Sequence, residues 1–209
     1  MTGAAGVRPE IEELEARLAH PLLFVRHGET DWNRRLRLQG QRDVPLNDLG
    51  RRQAARNGRA LAALIDARDW RFLASPLQRA TETMRIVLAA VGRDGEAFET
   101  DGRLMEISFG RWSGLTLDEV AAQDPLGAVA RSADKWNYVP PEGESYAMLC
   151  ARVADWLAGL DGRSVVVAHG GVLRVLMRLL LGLPAHDAPY LSVPQDRVAA
   201  FWGGRVVFL

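Results

Sequence analysis

The sequence predicts an α/β protein, built as a three-layer α/β/α sandwich around a mostly parallel sheet with a small cap or lid inserted into it. Two features predict this class. Short apolar runs of strand length alternate with amphipathic segments of helix length, which is the pattern of strands and helices around a parallel sheet. Histidine, arginine and glutamate residues follow soon after these runs, at the edge where ligands bind in such sheets.

The strands are predicted from apolar runs that end in polar or turn residues. The runs are Leu22–Val25, Arg71–Ala74, a weaker third run at Ala97–Thr100 followed by Leu104–Ile107, and Ser164–Ala168. The last residues of the chain, Arg205–Leu209, predict one more strand that packs its apolar side chains into the sheet.

Helices are predicted between and after these runs from the spacing of apolar residues. They are Leu49–Ile65, Pro76–Val91, Ser145–Leu160 and Val172–Leu181. The second helix has the best marked start. Ser75 at the N-cap, Pro76 at N1 and Gln78 at N3 form a predicted capping box with a proline that favours the first turn.

The chain length of 209 residues fits one domain or one domain with an elaboration. We expect this domain to span residues 21–209. Its cap is expected at about residues 110–144, a stretch rich in proline, glycine and aromatic residues. Residues 1–20 are expected to form an N-terminal extension, either a short helix or a disordered arm.

Composition and charge narrow the classes of function. Lys plus Arg equals Asp plus Glu at 26 each, so no overall charge attracts nucleic acid or an anionic membrane. The single cysteine, Cys150, excludes an intrachain disulfide and favours a reducing compartment. No apolar run is long enough to span a membrane, and the first ten residues lack the features of a signal peptide. We expect a cytoplasmic protein without nucleic-acid or membrane partners, and the oligomeric state stays open, with a homodimer as one option.

Four reactive side chains are predicted to meet at one edge of the sheet, because each lies a few residues after an apolar run. They are His27, Arg79, Glu106 and His169. A lone histidine is more often structural, but this set is harder to explain by packing, and Arg26 adjoins His27. The pair Gly170 and Gly171 lets the backbone approach a ligand at a helix start, where anions bind. Two guanidinium groups can neutralise most of a phosphoryl dianion without a metal ion.

Four motifs in these regions resemble those of the histidine phosphatase superfamily, the phosphoglycerate mutase-like group. The motifs are RHGETDWN at 26–33, SPLQRATET at 75–83, LMEISFGRWSG at 104–114 and VVVAHGG at 165–171. The resemblance extends from about Leu22 to the C-terminus, with all four motifs in the order of the family.

The resemblance implies a role for each matching residue. The nucleophile is His27, the proton donor is Glu106, and the phosphate pocket is formed by Arg26, Arg79 and His169. Three further residues, and one backbone N–H group, line the pocket in relatives: Thr30, Asn33, Gln39 and Gly170. Neither a metal ion nor another cofactor is implied.

General chemistry is consistent with these roles. A neutral imidazole has a lone pair that can attack phosphorus, provided that its other nitrogen donates to a partner such as a backbone carbonyl. Glu106 protonates the leaving group and then, as a carboxylate, activates water. His169 can become protonated beside the phosphate, since an anion raises its pKa. The sequence therefore predicts a metal-independent phosphomonoester hydrolase, acting through a phosphohistidine on a small phosphorylated metabolite.

Alternative functions remain open from the residues alone. A cofactor-dependent phosphoglycerate mutase is less favoured, because mutase-type relatives have a longer insertion after the glutamate. A noncatalytic phospholigand-binding protein is more remote. A metal hydrolase using His27, Glu106 and His169 is disfavoured by the two neighbouring arginines and by the lack of ligand pairs with helical spacing. The sequence does not specify the physiological substrate.

Four aromatic residues are expected to form either an apolar rim over the substrate or ordinary packing contacts: Phe109, Trp112, Trp136 and Tyr138.

Overall fold

A computed structural model describes residues 20–95 and 97–209. It contains a six-stranded mixed sheet in the order β3-β2-β4-β1-β5-β6. The strands are β1 Leu22–Arg26, β2 Arg71–Ala74, β3 Glu99–Thr100, β4 Ser164–Ala168, β5 Val198–Trp202 and β6 Arg205–Phe208. The first four strands run parallel, whereas β5 and β6 are antiparallel to their neighbours. The predicted N-terminal extension lies outside the described residues except for His20, which is exposed.

The described residues contain seven α-helices. They are α1 Asp31–Arg34, α2 Asp48–Leu64, α3 Gln78–Ala90, α4 Leu117–Gln123, α5 Pro125–Ala133, α6 Tyr146–Ala158 and α7 Gly170–Leu181. The predicted helices correspond to α2, α3, α6 and α7, with ends that differ by at most two residues.

Two apolar cores lie on opposite faces of the sheet, because successive side chains of a strand point in opposite directions. On one face, Phe24 and Val166 pack with residues of α6 and α7. On the other face, Val25 and Val167 pack with residues of α2 and α3. Strand β4 is buried along its whole length, which explains why its sequence is continuously apolar after Ser164. The predicted three-layer α/β/α architecture with a mostly parallel sheet is confirmed.

The predicted third strand is shorter than expected. Only Glu99–Thr100 pairs with β2, and both residues are exposed. Leu104–Ile107 forms no strand, because the chain turns into a 3₁₀ helix over Gly102–Leu104 that is capped by the Asp101 carboxylate. A side chain that bonds the backbone two residues later favours such a turn over a strand.

The predicted capping box at the start of α3 is wrong. The helix begins at Gln78, and its N-cap residue Leu77 makes no side-chain capping bond. Asp43, from a distant loop, accepts a hydrogen bond from Gln78 N at 2.7 Å and satisfies a free N–H of the first turn. The Ser75 hydroxyl bonds the ring of His169 at 2.7 Å and accepts a longer hydrogen bond from Leu77 N at 3.4 Å, ahead of the helix. Tertiary contacts therefore decide how this helix starts.

The segment predicted as a cap contains a short 3₁₀ helix and the helices α4 and α5. Its aromatic side chains are used in packing. Trp112 is buried and stacks on Tyr138 with ring centroids 5.4 Å apart, and Trp136 stacks on Tyr146 at 6.2 Å. Phe109 packs against the core. These aromatic residues therefore take part in packing, and Trp112 also lines a cavity of about 260 Å³.

No helix in the described part of the chain combines the length and apolar character needed to cross a membrane.

Candidate active site

His27 lies directly after β1 and is held in one tautomer. Its Nδ1 is 2.7 Å from the carbonyl oxygen of Gly28. Its Nε2 accepts a hydrogen bond from Arg79 Nε at 3.2 Å. Because a guanidinium group can only donate, Nε2 must carry a lone pair and Nδ1 must carry the proton that is donated to Gly28. The unprotonated nitrogen of His27 therefore faces a cation.

Arg79 is fully buried at the second residue of α3. Its two terminal nitrogens donate to backbone carbonyls, Nη1 to Arg42 at 2.8 Å and Nη2 to Gly40 at 2.8 Å. Together with the bond to His27, these contacts use three of the five N–H groups of a guanidinium. The side chain is thus fixed, and two N–H groups remain for another acceptor.

Arg26 and His169 each present an unsatisfied nitrogen to the same region. Arg26 Nη1 donates to the Val193 carbonyl at 2.6 Å, and His169 Nε2 bonds Ser75 Oγ at 2.7 Å. Arg26 Nε and His169 Nδ1 are buried without a hydrogen-bond partner among the described residues. The rings of His27 and His169 lie with centroids 5.1 Å apart. Buried nitrogens of this kind are suited to an anionic ligand, since unpaired burial costs free energy.

Glu106 is positioned by the start of α7. Its two carboxylate oxygens accept from Gly171 N at 3.1 and 3.2 Å, and Oε1 also accepts from Ile107 N at 2.9 Å. A Cβ atom on Gly171 would overlap Glu106 Oε1, so this close approach requires glycine. The sequence predicts an anion site at the double glycine, at the start of a helix near Val172. The helix begins at Gly170, and the protein's own Glu106 carboxylate meets its first turn.

Three of the residues predicted to line the pocket, Thr30, Asn33 and Gln39, are joined by hydrogen bonds. The hydroxyl of Thr30 donates to Gln39 Oε1 at 2.9 Å and caps α1 through Asn33 N at 3.1 Å. Thr30 and Gln39 are buried. Asn33 lines a cleft of about 770 Å³ together with Arg26. Its Oδ1 accepts from Gln195 Nε2, which also donates to the His27 carbonyl at 3.1 Å.

Three residues of the site were missed by sequence reasoning. Ser75 orients His169, as described above. Arg152 on α6 donates to the carbonyls of Arg103, Met105 and Glu106 and pairs with Glu144 at 3.0 Å, so that it supports the loop that carries Glu106. Arg174 on α7 lines the cleft with Arg26.

Burial and neighbouring cations keep both histidines neutral. The pKa of His27 lies well below 6.5 because of burial first, then Arg79 and Arg26. The pKa of His169 is lowered well below 6.5 by burial, with Arg79 and other cations contributing. Burial lowers the pKa of Arg26 to about 10 and that of Arg79 to about 10, so both remain charged at neutral pH. Protonation of His169 would therefore require an added negative charge.

Within residues 20–95 and 97–209, no three His, Cys, Asp or Glu side chains are grouped closely enough to hold a metal ion.

The chain is similar to known proteins in sequence and in fold. The sequence model of the histidine phosphatase superfamily (branch 1) matches residues 22–201. A glucosyl-3-phosphoglycerate phosphatase from Mycolicibacterium vanbaalenii is 37% identical over 183 residues, covering 82% of this chain and 78% of the relative. A 2,3-bisphosphoglycerate-dependent phosphoglycerate mutase from Beijerinckia indica is 32% identical, covering 82% and 86%. The crystal structure of the alpha-ribazole phosphatase from Shigella flexneri superposes with a TM-score of 0.75 at 28% identity, covering 86% of this chain and 89% of that one. The chain is therefore an enzyme that belongs to the histidine phosphatase superfamily, branch 1.

Proposed function

We propose that this enzyme hydrolyses phosphomonoesters of small metabolites through a phosphohistidine on Nε2 of His27, without a metal ion. The observation that supports this proposal most directly is the tautomer of His27. Its Nδ1–H donates to Gly28 O, and its Nε2 lone pair faces the Arg79 guanidinium. A nucleophile that keeps a lone pair beside cations is arranged for attack on an anionic phosphoryl group, once that group replaces Nε2 as the acceptor for Arg79.

The phosphoryl group would bind where unsatisfied donors converge. Arg26 Nε and His169 Nδ1 are buried without partners among the described residues, and Arg79 retains two N–H groups. A phosphoryl group placed there also gives Arg79 Nε a new acceptor, which releases the lone pair of His27. The backbone N–H of Gly170, at the start of α7, is the further donor in this proposal.

The reaction then proceeds in two steps. In the first step, a bond forms between His27 Nε2 and phosphorus, the bond from phosphorus to the ester oxygen breaks, and Glu106 donates its proton to that oxygen. In the second step, Glu106 takes a proton from water, whose oxygen attacks phosphorus and releases His27. Glu106 accepts hydrogen bonds from Gly171 N and Ile107 N, which orient its carboxyl group for both transfers.

Mutase activity is the second candidate. The Beijerinckia relative favours it, since a mutase shares 32% identity over most of both chains. Hydrolysis is preferred because the segment between Glu106 and Gly143 is short and because a relative with 37% identity is a phosphatase. A mutase must keep water from its phosphoenzyme, and a larger cap serves that purpose.

An aryl phosphate assay tests the proposal. The enzyme is treated exhaustively with EDTA and given 4-nitrophenyl phosphate, with His27→Ala and His186→Ala as matched variants. His186 is a suitable control because its side chain is 81% exposed. We expect full activity after chelation, full activity in His186→Ala, and none above background in His27→Ala. Activity that disappears with EDTA, or that persists in His27→Ala, would contradict the mechanism.

A second assay separates hydrolase from mutase. The enzyme is incubated with 3-phosphoglycerate in the presence of 2,3-bisphosphoglycerate, and inorganic phosphate and 2-phosphoglycerate are measured together. The proposal expects phosphate release to exceed isomer formation. Isomerisation that greatly outpaces phosphate release would instead establish the mutase.

We also propose that residues 21–209 form one domain and that the enzyme works in the cytoplasm. The two apolar cores, which share one sheet, support the first point. The single cysteine, partly buried on α6, supports the second point, since it gives no disulfide within the chain.

A further inference from the structure

The segment 191–196, which leads into β5, is anchored to the rest of the protein through its backbone. Side chains of other segments donate to three alternate carbonyls: Arg174 to Leu191 at 3.0 Å, Arg26 to Val193 at 2.6 Å and Asn57 to Gln195 at 3.0 Å. The side chain of Val193 is also buried. The backbone of this segment is therefore fixed beside the cleft that Arg26 lines.

The side chain of Gln195 connects this segment to two residues of the proposed active site. Its Nε2 donates to the carbonyl oxygen of His27 at 3.1 Å and to Oδ1 of Asn33 at 3.2 Å. Because a backbone carbonyl only accepts hydrogen bonds, the nitrogen end of the amide must face His27. A side-chain amide has two N–H groups, so both donors of Gln195 are used by these contacts.

The bond from Gln195 completes the backbone hydrogen bonds of His27. The N–H group of His27 donates to the Ala168 carbonyl at 2.9 Å, and its own carbonyl accepts from Gln195. His27 is only 2% exposed, and a buried carbonyl that loses its partner costs free energy. The ring in turn is tied to the next carbonyl along the chain, that of Gly28. The location of Nε2 therefore depends on the backbone that Gln195 holds.

Gln195 also helps to fix the direction of the Asn33 amide. Asn33 Oδ1 accepts from Thr30 N at 3.1 Å and from Gln195 Nε2 at 3.2 Å. Since both partners are donors, the oxygen end of the amide faces them and Nδ2 points elsewhere. Asn33 lines the cleft of about 770 Å³, and its Nδ2 makes no hydrogen bond to any of the described residues. This N–H₂ group is therefore available to a ligand in the cleft.

We infer that Gln195 is a positioning residue, which holds the His27 imidazole and the Asn33 amide in place for phosphoryl transfer. The inference rests on the proposed phosphatase function. The segment that carries Gln195 also binds Arg26 through the Val193 carbonyl, so one support aligns the nucleophile, a cation and an amide donor. Displacement of a reacting group by about 1 Å can reduce the rate about 100-fold.

The variant Gln195→Met tests this role, because methionine has a similar length and no N–H group. Arg56→Gln is the matched control, since it breaks an exposed ion pair with the neighbouring Asp196 in the same segment. In Gln195→Met, we expect kcat/KM for 4-nitrophenyl phosphate and for glycerol 3-phosphate to fall by similar factors, about 10–100-fold, because both substrates need the same attack by His27. In Arg56→Gln, kcat/KM should stay within about twofold of the wild-type value.

Inhibition by orthovanadate separates positioning from a loss of stability. Vanadate can take an attacking imidazole as a fifth ligand and so resembles the transition state. We expect its inhibition constant to rise about tenfold or more in Gln195→Met. A smaller fraction of folded enzyme would lower the rate but would leave the inhibition constant unchanged. Gln195→Ala is the second variant, with the same expected results, in case the methionine variant does not fold.

Three outcomes overturn the inference while the phosphatase proposal stands. The first is a wild-type kcat/KM in both Gln195 variants, and the second is a lower rate with an unchanged inhibition constant for vanadate. The third is a loss confined to glycerol 3-phosphate, which would place the effect on the leaving group instead of on His27. If the wild-type enzyme hydrolyses neither substrate, the proposed function itself fails, and the inference fails with it.

Discussion

Replacement of Gly171 by alanine tests how the candidate proton donor is positioned. Gly171 N donates to both oxygens of Glu106, and a Cβ atom at this position would overlap Glu106 Oε1 and lie 3.1 Å from Leu149 Cδ2. The carboxyl group must therefore move away from the start of α7. Alanine itself suits a helix better than glycine by about 1 kcal/mol, which offsets part of the cost of the displacement. We expect a folded enzyme whose acid is misplaced.

The size of the effect depends on the leaving group. A positioned general acid contributes about 10²–10⁴-fold to the rate, and misplacement of a reacting group by an ångström can cost about 100-fold. We expect kcat/KM for glycerol 3-phosphate to fall about 100-fold, because its alkoxide must be protonated as it leaves. The loss for 4-nitrophenyl phosphate should stay within about tenfold, since nitrophenolate leaves without a proton.

The assay compares kcat/KM for the two substrates, because this constant reports only the steps up to formation of the phosphoenzyme. Gly102→Ala is the matched control, since Cβ at Gly102 meets no atom within 4 Å. Equal losses for the two substrates in Gly171→Ala, or an unchanged rate for glycerol 3-phosphate, would refute the assigned role of Glu106.

The remaining predictions concern stability and the second histidine. Because folding lowers the pKa values of His27 and His169 well below 6.5, these two residues take up protons only in the unfolded chain as the pH falls just below 6.5. The free energy of unfolding, measured with urea, should therefore decrease as the pH falls, by about 2.7 kcal/mol per pH unit for the two residues together. A free energy of unfolding that does not change between about pH 6.5 and 5 would contradict the burial of both histidines as neutral groups. Ser75→Ala removes the hydrogen-bond partner of His169 Nε2 and should raise the inhibition constant of inorganic phosphate about tenfold. An unchanged inhibition constant would show that Ser75 does not position His169. In Gly110→Ala, the new Cβ atom would overlap the Pro141 carbonyl, at a residue whose φ is 53°. Thermal unfolding should therefore show that the free energy of unfolding is lower by about 2 kcal/mol or more. A melting temperature equal to that of the wild type would contradict this.

The arrangement of the main site residues could be predicted because of the topology of the sheet. Residues His27, Ser75 and His169 follow β1, β2 and β4, three adjacent parallel strands. The carboxyl ends of parallel strands share one edge, so residues that follow them meet there. The continuous apolar runs were visible in the sequence because these strands are buried on both faces.

Contacts between distant segments could not be predicted in the same way. Ser75 lies where the sequence predicts a helix N-cap, yet its hydroxyl forms a hydrogen bond with the ring of His169. The free backbone N–H of Gln78, in the first turn of the helix, donates to Asp43. Arg152 and Arg174 each lie in an amphipathic helix, where an arginine usually faces solvent. Their partners lie on other segments that only the fold brings close, so local spacing contains no signal for them.

The site of phosphorylation on His27 tests the central claim most directly. The enzyme is mixed with ³²P-labelled substrate, quenched in alkali within the first turnover, and digested for mass spectrometry with reference phosphohistidine isomers. Since Nδ1 donates its proton to Gly28 O and Nε2 carries the lone pair, the account predicts an acid-labile label on Nε2 of His27. A label on Nδ1 or on His169, or no protein-bound label while substrate is consumed, would contradict it.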